Sequence, residues 1–343
     1  MFIRSKNNPI IKPNRQRDWE ARKTYNPGVI WHKGKYYLFY RAVGTTWQSA
    51  IGLATSVNGE RFNKLAKPII SPGAGLESRG VEDPRVVRVD KKFFMTYTAY
   101  DGQAARLNLA VSSDLKKWKK IGRTLPQWNA KKAKAFRTKW DPAQNTKAAK
   151  TDWHKAGGIF PEKINGKYWM IFGDSHLWLA NSADGLKWQP VWQSFISPRS
   201  GHYFDSVHVE MGPPPIKTDK GWLVLYHGIN NKIEYKLGYL LLALDNPTKI
   251  LYRSQQPIFT PQMPYEISGL VDILPGGFKA MECLSPKALQ TFIAHNKKIG
   301  RMPKVIFCNG AVVRNNKLEI FYGASDSVIC KATADLKKVL SAK

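Results

Sequence analysis

The 343-residue sequence contains only three cysteines, Cys283, Cys308 and Cys330. An odd number without Cys-x-x-Cys spacing argues against a disulfide framework and against a zinc site, so the thiols are expected to be reduced. No apolar run reaches the about 18 residues that a membrane-spanning helix needs, and no membrane insertion is expected. The segment from Met1 to Arg22 is charged and polar and lacks the apolar centre of a secretory signal, which points to a cytoplasmic protein. The seven histidines are scattered. His202 and His208 near Asp205 lack compact ligand spacing, and no metal site is expected. Acidic residues are scarce as well: 25 Asp and Glu stand against 54 Lys and Arg, a formal charge of +29.

A field of that size attracts nucleic acid, anionic membrane surfaces or anionic small molecules whatever the function. The charge is densest from Lys116 to Lys155, where Trp118, Trp128, Trp140 and Trp153 interleave with lysines and arginines. Aromatic rings among basic side chains are how single-stranded nucleic acid is held. No recognisable nucleic-acid module surrounds the stretch, so a solvated lysine-rich excursion is the expected reading and nucleic acid is not the expected partner. With 43% apolar residues and 12 tryptophans the chain can build a sizeable core.

Repetition is the strongest pattern. Five stretches rich in aromatic and β-branched residues each follow a Gly, Asn or Lys turn: Tyr36 to Tyr40, Phe93 to Tyr100, Lys167 to Phe172, Trp222 to His227 and Leu318 to Tyr322. Each is preceded by another apolar strand, beginning near Gly28, Val86, Ile159, Pro215 and Val305, which makes five hairpins. A third strand carries Ala-x-Ser-x-Asn/Asp at Ala54 to Asn58, Ala110 to Asp114 and Ala180 to Asp184, with a worn copy at Ala332 to Asp335. Units of roughly 50 to 70 residues with three or four strands are propeller blades more naturally than sandwich sheets, because blades stack radially. The expectation is an all-β, five-bladed β-propeller forming one domain over 1–343. A basic excursion at about 123–153 and an insertion at about 268–303 lie outside the blades. Within the insertion, Ser285 and Pro286 open a helix over Lys287 to His295.

A propeller gathers its site at the mouth of the central channel, to which each innermost strand delivers residues. Matching places hold Asn26 and Arg41 in blade one, and Glu82, Asp83, Arg85, Tyr100, Asp101 and Arg106 in blade two. Blade three offers Lys155, Glu162 and Asp174, blade four Glu210, Tyr226 and His227, and blade five Asp326. Carboxylates, cations and aromatics converging on one channel suit a sugar-cleaving site. Asp83 precedes Pro84, which predicts extended, stiff backbone for that carboxylate.

Six motifs in register, Asn26-Pro27-Gly28, Glu82-Asp83-Pro84-Arg85, Phe160-Pro161-Glu162-Lys163, Gly212-Pro213-Pro214-Pro215-Ile216, Tyr226-His227-Gly228 and Tyr322-Gly323-Ala324-Ser325-Asp326, resemble glycoside hydrolase family 130. The resemblance runs from about residue 24 to 336. It implies a five-bladed propeller acting on β-mannosides with inversion, by phosphorolysis in most members and hydrolysis in some. Asp83 matches the family's general acid, while Glu82 and Arg85 orient the loop and bind sugar. The expected substrate is a β-mannoside oligosaccharide or mannose-containing glycan. No cofactor is expected beyond inorganic phosphate as co-substrate, and oligomerisation is left open.

The choice of attacking group divides the sequence. Lys155 and His227 keep the phosphorylase pattern and, with Arg41 and Arg106, can build a phosphate pocket. Asp174 stands where phosphorylases read His-Arg, and Glu210 resembles the hydrolytic members, in which a carboxylate activates water. Phosphorolysis to mannose 1-phosphate is the expected reaction, with hydrolysis using Glu210 as general base the alternative. A non-catalytic propeller binding anionic glycan or nucleic acid is the alternative of another class.

Overall fold

Five successive four-stranded units make up the computed structural model, which describes residues 2–134, 147–230, 232, 234–267, 285, 287, 288, 291 and 304–341. Blade one runs through Lys23–His32, Lys35–Val43, Ser49–Ser56 and Asn63–Lys64, and blade two through Gly80–Val89, Lys92–Tyr100, Ala105–Ser112 and Lys119–Arg123. Blade three comprises Gly157–Ile159, Tyr168–Phe172, Trp178–Ser182 and Gln189–Pro190. In blade four His208–Met211 and Ile216–Thr218 form the inner edge, followed by Gly221–Ile229, Glu234–Leu242 and Ile250–Arg253. Blade five has Lys304–Arg314, Lys317–Ala324 and Val328–Asp335. Its fourth strand comes from the other end of the chain: Ile3 and Arg4 pair antiparallel with Thr333 and Ala332. The ring is closed by the polar N-terminal segment, which none of the five hairpins includes. The chain is thus the expected five-bladed β-propeller.

The core is distributed as one apolar cluster between each pair of neighbouring blades. Phe39 and Leu53 meet Val86 and Met95 between blades one and two, and Val87 and Leu107 meet Met170 and Phe172 between two and three. Ile171 and Leu179 meet Val209 and Trp222 between three and four, and Leu225 and Tyr239 meet Ile306 and Ile320 between four and five. Val29 and Leu38 meet Phe321 and Ile329 across the closure. Sheet faces that are apolar on both sides account for strands that read as nearly continuous hydrophobic runs.

The Ala-x-Ser-x-Asn/Asp motif is the turn from third to fourth strand. Asp114 Oδ1 accepts the Lys116 and Lys117 amides while Ser112 Oγ accepts those of Asp114 and Leu115. Ser182 and Asp184 repeat the arrangement, and in both turns the following tryptophan indole donates to a turn carbonyl. In the worn copy Asp335 instead accepts the Lys338 amide at the start of the helix Leu336–Ser341.

A second repeat was not read from the sequence. In four blades a tyrosine of the second strand donates to a buried carboxylate on the linker entering a blade, and that carboxylate also holds a cation from the fourth strand. The sets are Tyr40, Glu20 and Lys64; Tyr97, Glu77 and Lys120; Tyr226, Asp205 and Arg253; and Tyr322, Glu266 and Arg4. Blade three has Phe172 on its second strand, packed edge-on against Trp128.

Two expectations change. The inner strands begin earlier than their hydrophobic runs, at Lys23, Gly80, Gly157, His208 and Lys304, so Asn26-Pro27 and Asp83-Pro84 lie inside strands and not in the loops before them. Each pair forms a β-bulge, the position at which a strand tolerates a proline that cannot donate to the ladder. Trp128 and Trp153 of the basic excursion are buried, so they are not open stacking surfaces. Trp140, Cys283 and most of the 268–303 insertion fall outside the described residues. Within the expected helix, the Ala288 amide donates to Ser285 Oγ at 3.3 Å, the bond an N-cap makes. Among the described residues no helix is long and apolar enough to cross a membrane.

Candidate active site

The bulges bring the inner strands together at the axis. A Cβ on Gly28 would lie 2.6 Å from the Pro84 carbonyl oxygen, and one on Gly310 would lie 2.7 Å from that of Pro27, so only glycine admits these approaches. Asp83 sits on its bulge with φ of +53°, and Asn26 on the neighbouring one with φ of +46°. The extended geometry expected from the following proline is therefore overridden: the bulge demands a left-handed residue, and Asx residues adopt that conformation at the lowest cost after glycine. The carboxylate is nonetheless held firmly. Asn26 Nδ2 donates to Asp83 Oδ1 at 2.9 Å, and Arg41 Nη1 lies 3.5 Å from the same oxygen.

Around Asp83 the cations are already engaged. Arg41 Nη2 pairs with Glu82 Oε1 at 2.7 Å, and Ser49 Oγ lies 3.3 Å from that oxygen. Burial pushes the Glu82 carboxyl up, against the pull of Arg41. Arg85 is buried and donates to the carbonyls of Asp83, Met211 and Gly212, bracing the blade-two bulge against blade four. Asp326 stands at the mouth in the field of Lys23 and Arg41; its enclosure pushes the carboxyl up.

A second group, from blades three and four, shares with Asp83 the field of Arg85. Asp174 and Glu210 are opposed as antiparallel backbone neighbours, and both are buried. Trp153 Nε1 donates to Asp174 at 2.9 Å, and Lys155 Nζ lies 3.2 Å from Glu210 Oε1. Burial raises the Asp174 carboxyl, with Lys155 opposing and Glu210 adding to the rise. Burial also works to raise Glu210, but Lys155 and His208, whose Nε2 lies 3.7 Å from Oε2, carry it down to about 2. His227 is fully buried and stacked on Phe307 at 4.1 Å, and its Nε2 accepts the Cys308 amide. Burial pushes the ring down to about 3, so it is neutral at physiological pH and offers a donor instead of a charge.

The expected site residues therefore separate. Asn26, Arg41, Glu82, Asp83, Lys155, Asp174, Glu210 and Asp326 form one interacting cluster, and the buried Arg85 and His227 lie in the field of Glu210. Arg106 binds Asp101 at 2.7 Å and Asp152 at 2.6 Å, beside the half-buried Tyr100, and so steadies the segment that carries Trp153 and Lys155. Glu162 is exposed and pairs with Lys217 away from the mouth, and Tyr226 is the blade-four member of the buried tyrosine set. Neither side chain reaches the cluster: Glu162 lies beyond the end of the strand Gly157–Ile159, in the approach to the hairpin, and Tyr226 points to the face of the strand opposite His227. Lys23, Ser49, Trp153 and His208 belong to the site and were not anticipated. Trp153 stands two residues before Lys155, a spacing that alone gives no sign of a bond to Asp174.

Residues 3–274 match the family model described as beta-1,4-mannooligosaccharide phosphorylase. The chain is 31% identical to a beta-1,2-mannobiose phosphorylase of Thermoanaerobacter sp. (strain X514), with 98% of each chain covered. Among solved structures it is similar to a glycosyl hydrolase from Bacteroides ovatus, at 29% identity and a TM-score of 0.76, over 98% of this chain and 94% of that one. A second similar structure, at 28% identity and a TM-score of 0.77, covers 98% of this chain and 94% of its own. It comes from work on mannoside phosphorylases whose family contains glycoside hydrolases that target beta-1,2 mannosidic linkages in Candida mannan.

Proposed function

The chain belongs to glycoside hydrolase family 130, and from that premise we propose that it cleaves β-mannosidic bonds by phosphorolysis, releasing mannose 1-phosphate with inversion. The observation that carries the reading is Asp83, fixed on an axial bulge by Asn26 and Arg41, with Lys155 close enough to act on its neighbour Glu82 and paired to Glu210. Asp83 supplies the proton that leaves with the departing sugar oxygen, directly or through a sugar hydroxyl. A phosphate oxygen forms the new bond to the anomeric carbon from the opposite face as the glycosidic bond breaks, so a β-mannoside yields an α-phosphate. Lys155 supplies charge for the dianion, while Arg41 stays with Glu82 and Asp83 and the enclosed His227 ring is engaged by the Cys308 amide and the Glu210 backbone. Burial moves Asp174 toward its neutral form, which lessens repulsion on that side.

Hydrolysis is favoured by one observation, the buried Glu210 carboxylate beside that pocket. Lys155 and His208 hold that carboxyl below the usual carboxylate range, which weakens it as a base, because proton abstraction from water is most efficient when the base titrates near the working pH. The test is product identity from β-1,2- and β-1,4-linked mannobiose with and without phosphate. Mannose 1-phosphate formed only with phosphate is expected. Free mannose released at an unchanged rate without phosphate, and lost in Glu210→Gln, would establish hydrolysis.

A further inference from the structure

Trp47 is 59% exposed, far more than the other tryptophans that line the blades. It lies on the loop that joins the second and third strands of blade one, and its φ of +62° puts a bulky side chain in the left-handed region. Such a conformation persists only where the surroundings impose it. Here the Gly44 amide donates to the Gln48 carbonyl, the Thr45 amide to that of Asp18, and Gln48 Nε2 to that of Ser78, which pins the loop to both flanking linkers. The Arg22 guanidinium lies 4.4 Å from the indole centroid and covers one face of the ring. The exposure leaves the other face to solvent.

The position is the channel mouth. Arg22 immediately precedes Lys23, the first residue of the innermost strand, whose charge acts on Asp326. Ser49, two residues after Trp47, bonds Glu82 of the Arg41 pair. A held, half-open indole backed by a guanidinium on the rim of a sugar site presents a flat apolar face to ring C–H groups, with donors for hydroxyls beside it.

We propose that Trp47, backed by Arg22, is a stacking platform for a sugar ring of the substrate beyond the two rings that flank the scissile bond, so that the enzyme discriminates a β-mannooligosaccharide of three or more units from a disaccharide. The assignment rests on the β-mannoside reading above. The test compares kcat/KM for mannotriose and mannobiose, in both the β-1,2- and β-1,4-linked series, with phosphate present. Trp47→Ala lowers the triose-to-biose ratio by about fivefold, mainly through the KM for the triose, and Trp47→Phe recovers most of the loss because a flat ring remains. A ratio equal to wild type in Trp47→Ala overturns the platform and leaves the cleavage reading intact. A wild-type enzyme that turns over neither sugar in either series overturns that reading and the platform with it.

Discussion

Asp83 and His227 show how a single side chain at the axis takes its chemistry from its surroundings. With Asp83 as the general acid, Asp83→Asn keeps the bulge, because asparagine also tolerates a positive φ, while it removes the transferable proton. Turnover falls by about 10²-fold or more with an unchanged thermal unfolding curve. A loss smaller than about tenfold would remove Asp83 from the mechanism. His227 makes a prediction about acid. Its ring titrates at about 3 in the fold, whereas an unfolded histidine titrates at about 6.5, so between those values the unfolded chain binds the extra proton. The stability it contributes is complete above the higher value and is lost as pH falls toward the lower. Glu210, down at about 2, extends the same trend to still lower pH, below the ordinary carboxylate range. Urea midpoints measured at about pH 7 and about pH 5 should fall toward acid in the wild type and fall less in His227→Gln, whose amide oxygen can still accept the Cys308 amide. An identical slope in the variant would assign the acid lability elsewhere.

Blades, as elements, are pinned by the tyrosine, carboxylate and fourth-strand cation sets, and blade three supplies the built-in control. Tyr97 donates to Glu77 at 2.8 Å within a buried pocket. Tyr97→Phe leaves that carboxylate short of a donor and should cost about 1.5 to 3 kcal/mol in denaturant unfolding. The reverse exchange in blade three, Phe172→Tyr, puts a hydroxyl among the Trp128 and Trp178 rings, with no carboxylate of the described residues in the place that Glu77 takes in blade two, and should destabilise as well. Stabilisation by Phe172→Tyr would mean that the third blade simply lacks the hydroxyl and not the whole set. Only part of this was legible in the sequence. The turn motif could be read because its serine and carboxamide or carboxylate lie within three residues of each other. The tyrosine sets could not, because Tyr322 and Glu266 are separated by 56 residues and Arg4 and Glu266 by 262.

At the scale of the whole molecule, stability depends on closure of the ring. Arg4 binds Glu266 through both Nε and Nη2 at 2.8 Å, and the carboxylate is fully buried and also accepts from Tyr322 and from the Gln262 and Met263 amides. Removing one partner of such a pair leaves an uncompensated charge inside. Arg4→Ala should therefore lower stability by about 3 kcal/mol and the unfolding temperature by roughly 5 °C, with Arg4→Lys intermediate because it keeps the charge but not the fork. A shift under about 1 °C would show that the N-terminal strand is not what holds blade five shut. The charge of +29 is not concentrated in the channel, where Glu82, Asp83, Asp174, Glu210 and Asp326 meet Arg41, Lys155 and Lys23.

By itself the sequence determined the number of blades, the hairpins and the short motifs that converge on the mouth, since each rests on strand alternation or on residues a few positions apart. It also singled out Asp83, because an acid between Glu82 and Pro84 is a local pattern. Tertiary structure alone decided that Asp83 sits on a left-handed bulge inside a strand and that Tyr226 is part of the core. It alone joined residues 3 and 4 to blade five. The physical reason is common to all three: bulge register, the face to which a side chain points and ring closure are set by packing between strands far apart in sequence, and no local propensity encodes them.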